Sequence, residues 1–400
     1  MALRLDWARP VIRRRRFGAG LAAAALAGAL AACTGTPLPF GQSPTTARQP
    51  STAIGTGNVR AGLILPLSGA GNAGPVAQSM RNAAELALSD FNTPNVQLLI
   101  KDDGGNAFGA QAGAEATLQE GAEIILGPLF GPTVAPVGQV ARARNIPVIA
   151  FSTDSSVAAR GVYLLSFLPE SDVDRVVDYA ASRGKRSFAA LIPENAYGNV
   201  VDAAFRQAVA RNGGRIVANE RFGGDAAQIQ EAVGRVAPAL AQADTLFIPG
   251  DSETVPLVGQ ALANAGVNTR RLQLLGTGLW DDERVFTEST LQGAWFAAPE
   301  SSGFRSFSTH YRARYGQPPL RAATLAYDAV SLVAALVKTQ GPQRFGDEVL
   351  TSSSGFSGVD GIFRFKPDGT NERGLAVMRV TPSGAQTVSP APKAFPGSAT

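Results

Sequence analysis

Val59-Arg60-Ala61-Gly62-Leu63-Ile64-Leu65-Pro66-Leu67-Ser68-Gly69-Ala70-Gly71-Asn72-Ala73-Gly74 decides the fold. The apolar run Ala61 to Leu65 reads as a strand buried on both faces. Pro66 donates nothing to a sheet ladder, so the strand stops there. A small, polar, Gly-rich loop follows, and from Pro75 an amphipathic run to Phe91 reads as a helix. Strand, loop and helix in this order place the loop at the carboxyl end of the strand, where open α/β sheets hold ligands.

The unit repeats downstream. Strands are expected at Val96–Lys101, Glu123–Leu126 and Pro147–Phe151, with helices at Ala107–Glu120 and Val134–Arg144 between them. Val162–Phe167 reads as a strand that leaves this first sheet. The rhythm then restarts, with strands at Phe188–Ile192, Arg215–Ala218, Thr245–Ile248 and Leu272–Leu275. Helices are expected between them at Asp172–Arg183, Gly198–Asn212, Ala226–Ala241 and Thr254–Ala265. Alternation of this kind implies βαβ units and parallel sheets, and two such blocks imply two lobes. After Trp295 come helices at Ser302–Tyr315 and Ala322–Lys338. Gly361–Phe365 then alternates like an antiparallel strand, with Leu375–Val380 as its expected partner across the turn Lys366-Pro367-Asp368-Gly369.

The 400 residues are 45% hydrophobic and 17% charged, a globular balance large enough for two lobes. Six arginines against Asp6 in residues 1–32 account for more than the whole net charge of +4, so the rest of the chain is close to neutral. No basic surface for nucleic acid is indicated. The arginines precede the small-residue apolar run Phe17–Ala32, which reads as an export signal and is short for a stable membrane span. The chain's one cysteine, Cys33, follows at once, as in the bacterial lipoprotein lipobox, where the cysteine becomes the lipidated first residue. Residues 34–57 are rich in Pro, Thr, Ser and Gly and read as a linker.

One His and one Cys exclude most nucleophilic triads and thiolate or imidazole metal sites. His310 reads as a partly solvated helix residue. Gly69-Ala70-Gly71-Asn72-Ala73-Gly74 satisfies G-x-G-x-x-G, but its glycines start four residues beyond the strand, so it reads as a flexible loop whose N–H groups approach a small ligand. No cofactor and no catalysis are expected. Asp102-Asp103 reads as a solvated pair capping the next helix, with a functional carboxylate pair or magnesium site as the alternative, and Asp281-Asp282-Glu283 as acids opening a short helix. The other strand-end loops offer small hydroxyl residues, helix N–H groups and an occasional aromatic, a lining suited to a small polar ligand.

Several motifs, taken together in this order, resemble the type I periplasmic binding proteins of the leucine/isoleucine/valine-binding group. They are Leu65-Pro66-Leu67-Ser68-Gly69, Ile125-Leu126-Gly127-Pro128, Asn145-Ile146-Pro147-Val148-Ile149, Ala196-Tyr197-Gly198, Tyr327-Asp328-Ala329 and Phe356-Ser357-Gly358-Val359-Asp360-Gly361. The resemblance implies an α/β fold of two lobes, each a mainly parallel sheet flanked by helices, hinged by three crossovers. It implies an N-terminal lobe from 58–166 plus 299–340 and a C-terminal lobe from 167–298 plus 341–380, after a signal at 1–32 and a lipidated linker at 33–57. A disordered tail is expected at 381–400. In amino-acid-binding members a hydroxyl after the third strand holds the ligand carboxylate, a Thr after the fourth helps, a Tyr before Gly covers the ligand, and an acid binds the ammonium. Carried over, this gives Tyr197 as the cover and Ser152, Thr153 and Asp154 in the fourth-strand loop. Thr133 stands in the third-strand loop, and Gly278 falls near the place of the acid. Ser68, Gly69, Asn72, Asp251, Thr277 and Trp280 complete the expected ligand set.

Two functions follow from the resemblance. One is the lipid-anchored, periplasmic substrate-binding component of an amino-acid (branched-chain type) ABC transporter, with a permease as partner and a tether to the cell membrane or outer membrane. The other rests on Gly127-Pro128-Leu129-Phe130, Leu191-Ile192-Pro193-Glu194-Asn195-Ala196-Tyr197-Gly198 and Leu275-Gly276-Thr277-Gly278-Leu279-Trp280-Asp281. These are similar to lipoproteins that activate penicillin-binding proteins, in which the same fold serves protein–protein contact.

Overall fold

The computed structural model describes residues 52–91 and 94–395. The expected signal, Cys33 and most of the linker lie outside the described residues. The first sheet is built from β1 (Thr52–Ile54), β2 (Val59–Leu65), β3 (Val96–Asp102), β4 (Ile124–Leu126), β5 (Val148–Ala150) and β6 (Val162–Leu164). Helices α1 (Ala73–Asp90), α2 (Ala107–Gln119) and α3 (Gly131–Arg142) connect them. Strand order is β1-β3-β2-β4-β5-β6, parallel except for β1. Residue 52, at the end of the expected linker, already pairs with Ile100 of β3, so the ordered domain begins earlier than composition suggested. Likewise β6 stays in the first sheet, beside β5.

β2 is covered on both sides, as its unbroken apolar run requires. Leu63 and Leu65 point into one core cluster and Ile64 into another formed with α2 and α3. Each such fully buried Leu or Ile contributes about 1.5–3 kcal/mol.

The second sheet takes β7 (Ser187–Pro193), β8 (Arg215–Phe222), β9 (Thr245–Phe247), β10 (Gln273–Gly276) and β11 (Trp295–Ala298). It is wrapped by α4 (Pro169–Ser182), α5 (Ala196–Arg211), α6 (Ala226–Val236), α7 (Thr254–Asn264) and the short α8 (Glu283–Thr287). The chain then returns to the first lobe through α9 (Ser301–Tyr315) and α10 (Ala323–Thr339), whose Leu325, Ala329 and Val333 join the core around β2. Next come α11 (Asp347–Leu350) and a small antiparallel sheet of β12 (Phe356–Gly358), β13 (Gly361–Phe365) and β14 (Asn371–Arg373). β15 (Ala376–Thr381) and β16 (Gly384–Ser389) finish the second sheet, in the order β16-β15-β11-β10-β9-β7-β8.

Three expectations are corrected here. β13 pairs with β12 and β14, whereas 376–381 pairs with β11 and β16. Phe345, Leu350, Phe363 and Phe365 pack into the first lobe's core, so the chain crosses back after β14 and not at residue 341. The expected tail from 381 holds β16, fixed by its ladder to β15. Among the described residues no helix is long and apolar enough to cross a membrane.

Both sheets are wound alike. In the first the chain steps from β2 to β3, then crosses to β4 on the other side; in the second it steps from β7 to β8, then crosses to β9. Each sheet therefore has a topological switch point at the carboxyl end of its first central strand, where a crevice opens. These ends carry the loops around Ser68 and around Tyr197.

Candidate functional site

The second lobe's switch point has a polar wall. Asn195 caps α5, accepting from the Gly198 N–H at 2.8 Å, and this sets Tyr197 on the first turn. The half-buried Tyr197 hydroxyl meets the fully buried Thr277 Oγ1 at 2.9 Å. Burial pushes the Tyr197 phenol well above its ordinary pKa. The next residue, Gly278, donates its N–H to Asp172 Oδ2 at 2.9 Å. A Cβ at Gly278 would stand 3.1 Å from that oxygen, a tight contact that the absence of a side chain at 278 avoids. Burial pushes the Asp172 carboxyl up to about 7, with the Gly278 N–H and the Arg373 charge acting the other way.

Asp172 was not among the expected ligand residues. An acid in the first turn of a helix reads as a dipole partner, and the 106 positions between it and Gly278 hide the contact from any local pattern. The structure thus sets a carboxylate at the place where the resemblance expects an acid and the sequence shows glycine.

In the first lobe, Ser152 is 2% exposed and its Oγ accepts from the Asp154 N–H at 3.1 Å. Asp154 is exposed, and its Oδ1 accepts from Ser156. A Cβ on Gly131, the first residue of α3, would lie 3.0 Å from Asp154 Oδ2 and 3.5 Å from Ser152 Oγ. Ser152, Asp154 and the α3 N-terminus therefore share one corner, with the exposed Thr153 beside them. Ser68 and Asn72 are exposed on the β2–α1 loop; Ser68 N–H donates to Asp102 Oδ1 at 3.1 Å and Gly69 N–H to Pro66 O at 2.9 Å.

Two residues of the expected ligand set spend their polar groups on the fold. Thr133 is fully buried on α3 and gives its hydroxyl to the Phe130 carbonyl at 2.7 Å, closing the helix start. Trp280 is fully buried in the second lobe's core, its Nε1 bonded to Ile248 O at 3.0 Å. Glycine at 276 makes room for the ring: a Cβ there would sit 2.3 Å from it. Asp251, though exposed, spends Oδ1 on capping α7 through Glu253 and Thr254. Among the described residues, no hydrogen bond or ion pair joins the first lobe's loops at 66–72, 102–106, 128–133 and 152–154 to the second's at 194–199, 250–254 and 277–282.

Solved structures share this architecture. A putative branched-chain amino acid ABC transporter protein of Rhodospirillum rubrum superposes with a TM-score of 0.74 at 20% identity, over 82% of this chain and 99% of that one. A substrate-binding protein of Desulfitobacterium hafniense in complex with Leu gives 0.62 at 17% identity, over 82% and 99%. A solute-binding protein of Rhodopseudomonas palustris in complex with 3,4-dihydroxybenzoic acid gives 0.59 at 19% identity, over 83% and 96%. An uncharacterized protein of Rickettsia prowazekii is 21% identical over 165 residues, which are 40% of this chain and 44% of that one; the chain spans less than half the length of this curated relative. The sequence pattern of the periplasmic binding proteins matches residues 58–386. With a doubly wound sheet in each lobe and that match over most of its length, the chain belongs to the periplasmic binding protein family.

Proposed function

We propose that the chain is the solute-binding component of an amino-acid-type ABC transporter, held to a membrane by lipidated Cys33, and that it closes its lobes on a small polar, amino-acid-like ligand. The observation that carries the reading is the Asp172–Gly278 and Tyr197–Thr277 wall of the second lobe; the Ser152–Asp154 corner of the first offers groups of complementary character. Asp172 would take the ligand's ammonium, Tyr197 would cover it, and the N–H groups of the α3 start with Ser152 and Thr153 would meet its carboxylate. Ser68, Gly69 and Asn72 would border the mouth. Relatives of this fold in complex with Leu and with 3,4-dihydroxybenzoic acid support a small polar occupant.

The test is a thermal shift of the full-length chain against a panel of amino acids and their amides. A ligand at a hundred times its Kd should add roughly 2.7 kcal/mol of stability, and Tyr197→Ala should abolish the shift. A second reading, a protein-interaction module acting on a penicillin-binding protein, is favoured by one observation: Thr133, Trp280 and Asp251 are spent on the fold itself. That reading requires silence across the panel together with capture of a penicillin-binding protein, an outcome that would overturn the transport reading.

A further inference from the structure

The chain crosses between the lobes three times, at 165–168, 299–300 and 374–375, and one ring gathers side chains from beside all three crossings. Phe167 belongs to the first. The Arg321 guanidinium lies over it, 4.5 Å from the ring centre, and the Arg373 guanidinium lies over it at 4.7 Å. Arg321 also lies over Phe304, on the first turn of α9 beyond the second crossing, at 4.7 Å. Arg373 ends β14 and so stands at the start of the third. The two cations are held differently. Arg321 forks onto Asp360, whose side chain is fully buried, at 2.6 and 2.9 Å. Arg373, 6% exposed, gives Nε to the Ser166 carbonyl at 2.8 Å, and its Nη1 and Nη2 meet no hydrogen-bond partner among the described residues. Its guanidinium rests instead on Phe167 and, at 5.6 Å, on Phe363. Asp360 and Asp328 of the first lobe and Asp172 of the second act on it through their charge, with no hydrogen bond formed.

These two kinds of contact respond differently to motion. A bidentate fork fixes distance and plane together. A cation over a ring keeps its attraction while it slides or turns, because the negative charge is spread over the whole face. A hinge consists of a few loop or element-terminal residues that absorb a change of angle, and Phe167 and Arg373 stand at such ends. Phe167 also comes directly ahead of α4: Leu168 is the residue before its first turn, and Asp172 lies within that turn. Whatever fixes the ring therefore fixes the start of α4 against the first lobe. We propose that Arg321, Phe167 and Arg373 form the pivot of the lobe hinge, and that this pivot positions Asp172 for the cleft. The second half rests on the cleft assignment of Asp172; the first rests on the fold alone.

Pulsed electron paramagnetic resonance on the full-length chain tests this. Nitroxides at Ala112→Cys on α2 and Ser182→Cys on α4, both exposed positions, read how α4 stands against the first lobe, with Cys33→Ser keeping other thiols out. Phe167→Leu should broaden the distance distribution roughly twofold, since leucine offers the cations no π face. Phe167→Tyr keeps that face and should leave the distribution as narrow as in the labelled reference. Arg373→Gln, which drops one cation, should broaden it as Phe167→Leu does. A merely structural role would lower the melting temperature of Phe167→Leu without widening its distribution, and that result overturns the pivot. Phe167→Tyr as broad as Phe167→Leu, or Arg373→Gln as narrow as the reference, overturns it equally. No ligand is added, so a silent amino-acid panel would leave this outcome untouched.

Discussion

Trp280→Ala is expected to cost the fold about 3–5 kcal/mol, the range for removing a large buried aromatic. The ring is fully buried in a cluster with Leu246, Ile248, Val285 and Phe296 and rests against Gly276. Its loss opens a void between the β10 end and α8, and it also strips the Ile248 carbonyl of the Nε1–H that meets it at 3.0 Å. Trp280→Phe keeps most of the volume and should cost less, mainly the penalty of the unmet carbonyl, about 1–3 kcal/mol. Urea unfolding of the full-length variants reads both. A midpoint for Trp280→Ala equal to that of the wild type would return the side chain to the cleft surface.

That contrast shows what the sequence carries and what it hides. Pro66 after an apolar run marks the end of β2, and the regular return of such runs makes two wound sheets legible without any contact being known. Tyr197 is legible because Asn195 ahead of it and Gly198 behind it announce a helix start at a strand end. Trp280 stands in an equally polar loop, and its direction depends on Gly276 leaving space beneath, which a linear pattern cannot separate from a loop glycine. β11 has four residues and little alternation, so it passes for loop until β10 and β15 pair on either side of it. β13 and 375–380 look like hairpin partners because a turn sequence stands between them. Asn371–Arg373 intervenes instead, and its side chains hold the Leu164–Ser166 crossover. Asp172 is the clearest omission, since only the folded chain brings α4 to residue 278.

The second large effect is a pH dependence of opposite sign to the usual acid loss of stability. Asp328 on α10 is 3% exposed, its Oδ1 accepts from the Val359 N–H at 2.8 Å, and its Oδ2 has no partner among the described residues. Burial pushes its carboxyl up to about 7 despite the Val359 N–H and Arg373, and Asp172 is likewise pushed to about 7. An unfolded aspartate titrates near 3.9. Between those values the folded chain holds protons that the unfolded chain does not, so stability rises as pH falls from 8 toward 5. Each group contributes on the order of 2 kcal/mol over pH 8 to 5.5. Carboxyls held low act in another window: Asp282, kept at about 2 by Arg284, supports the fold above the unfolded value and loses that support only as pH falls below about 4. Urea unfolding of the full-length chain at pH 8, 6.5 and 5.5 should therefore show rising stability, and Asp172→Asn with Asp328→Asn should flatten the slope. Stability that stays level or falls over this range in the wild type would rule the effect out. On the proposed assignment of the ligand's ammonium to Asp172, the same protonation removes the charge that the ammonium would meet. Binding of an ammonium ligand should then weaken over the very range in which the fold gains, a divergence that general stabilisation of the chain cannot produce.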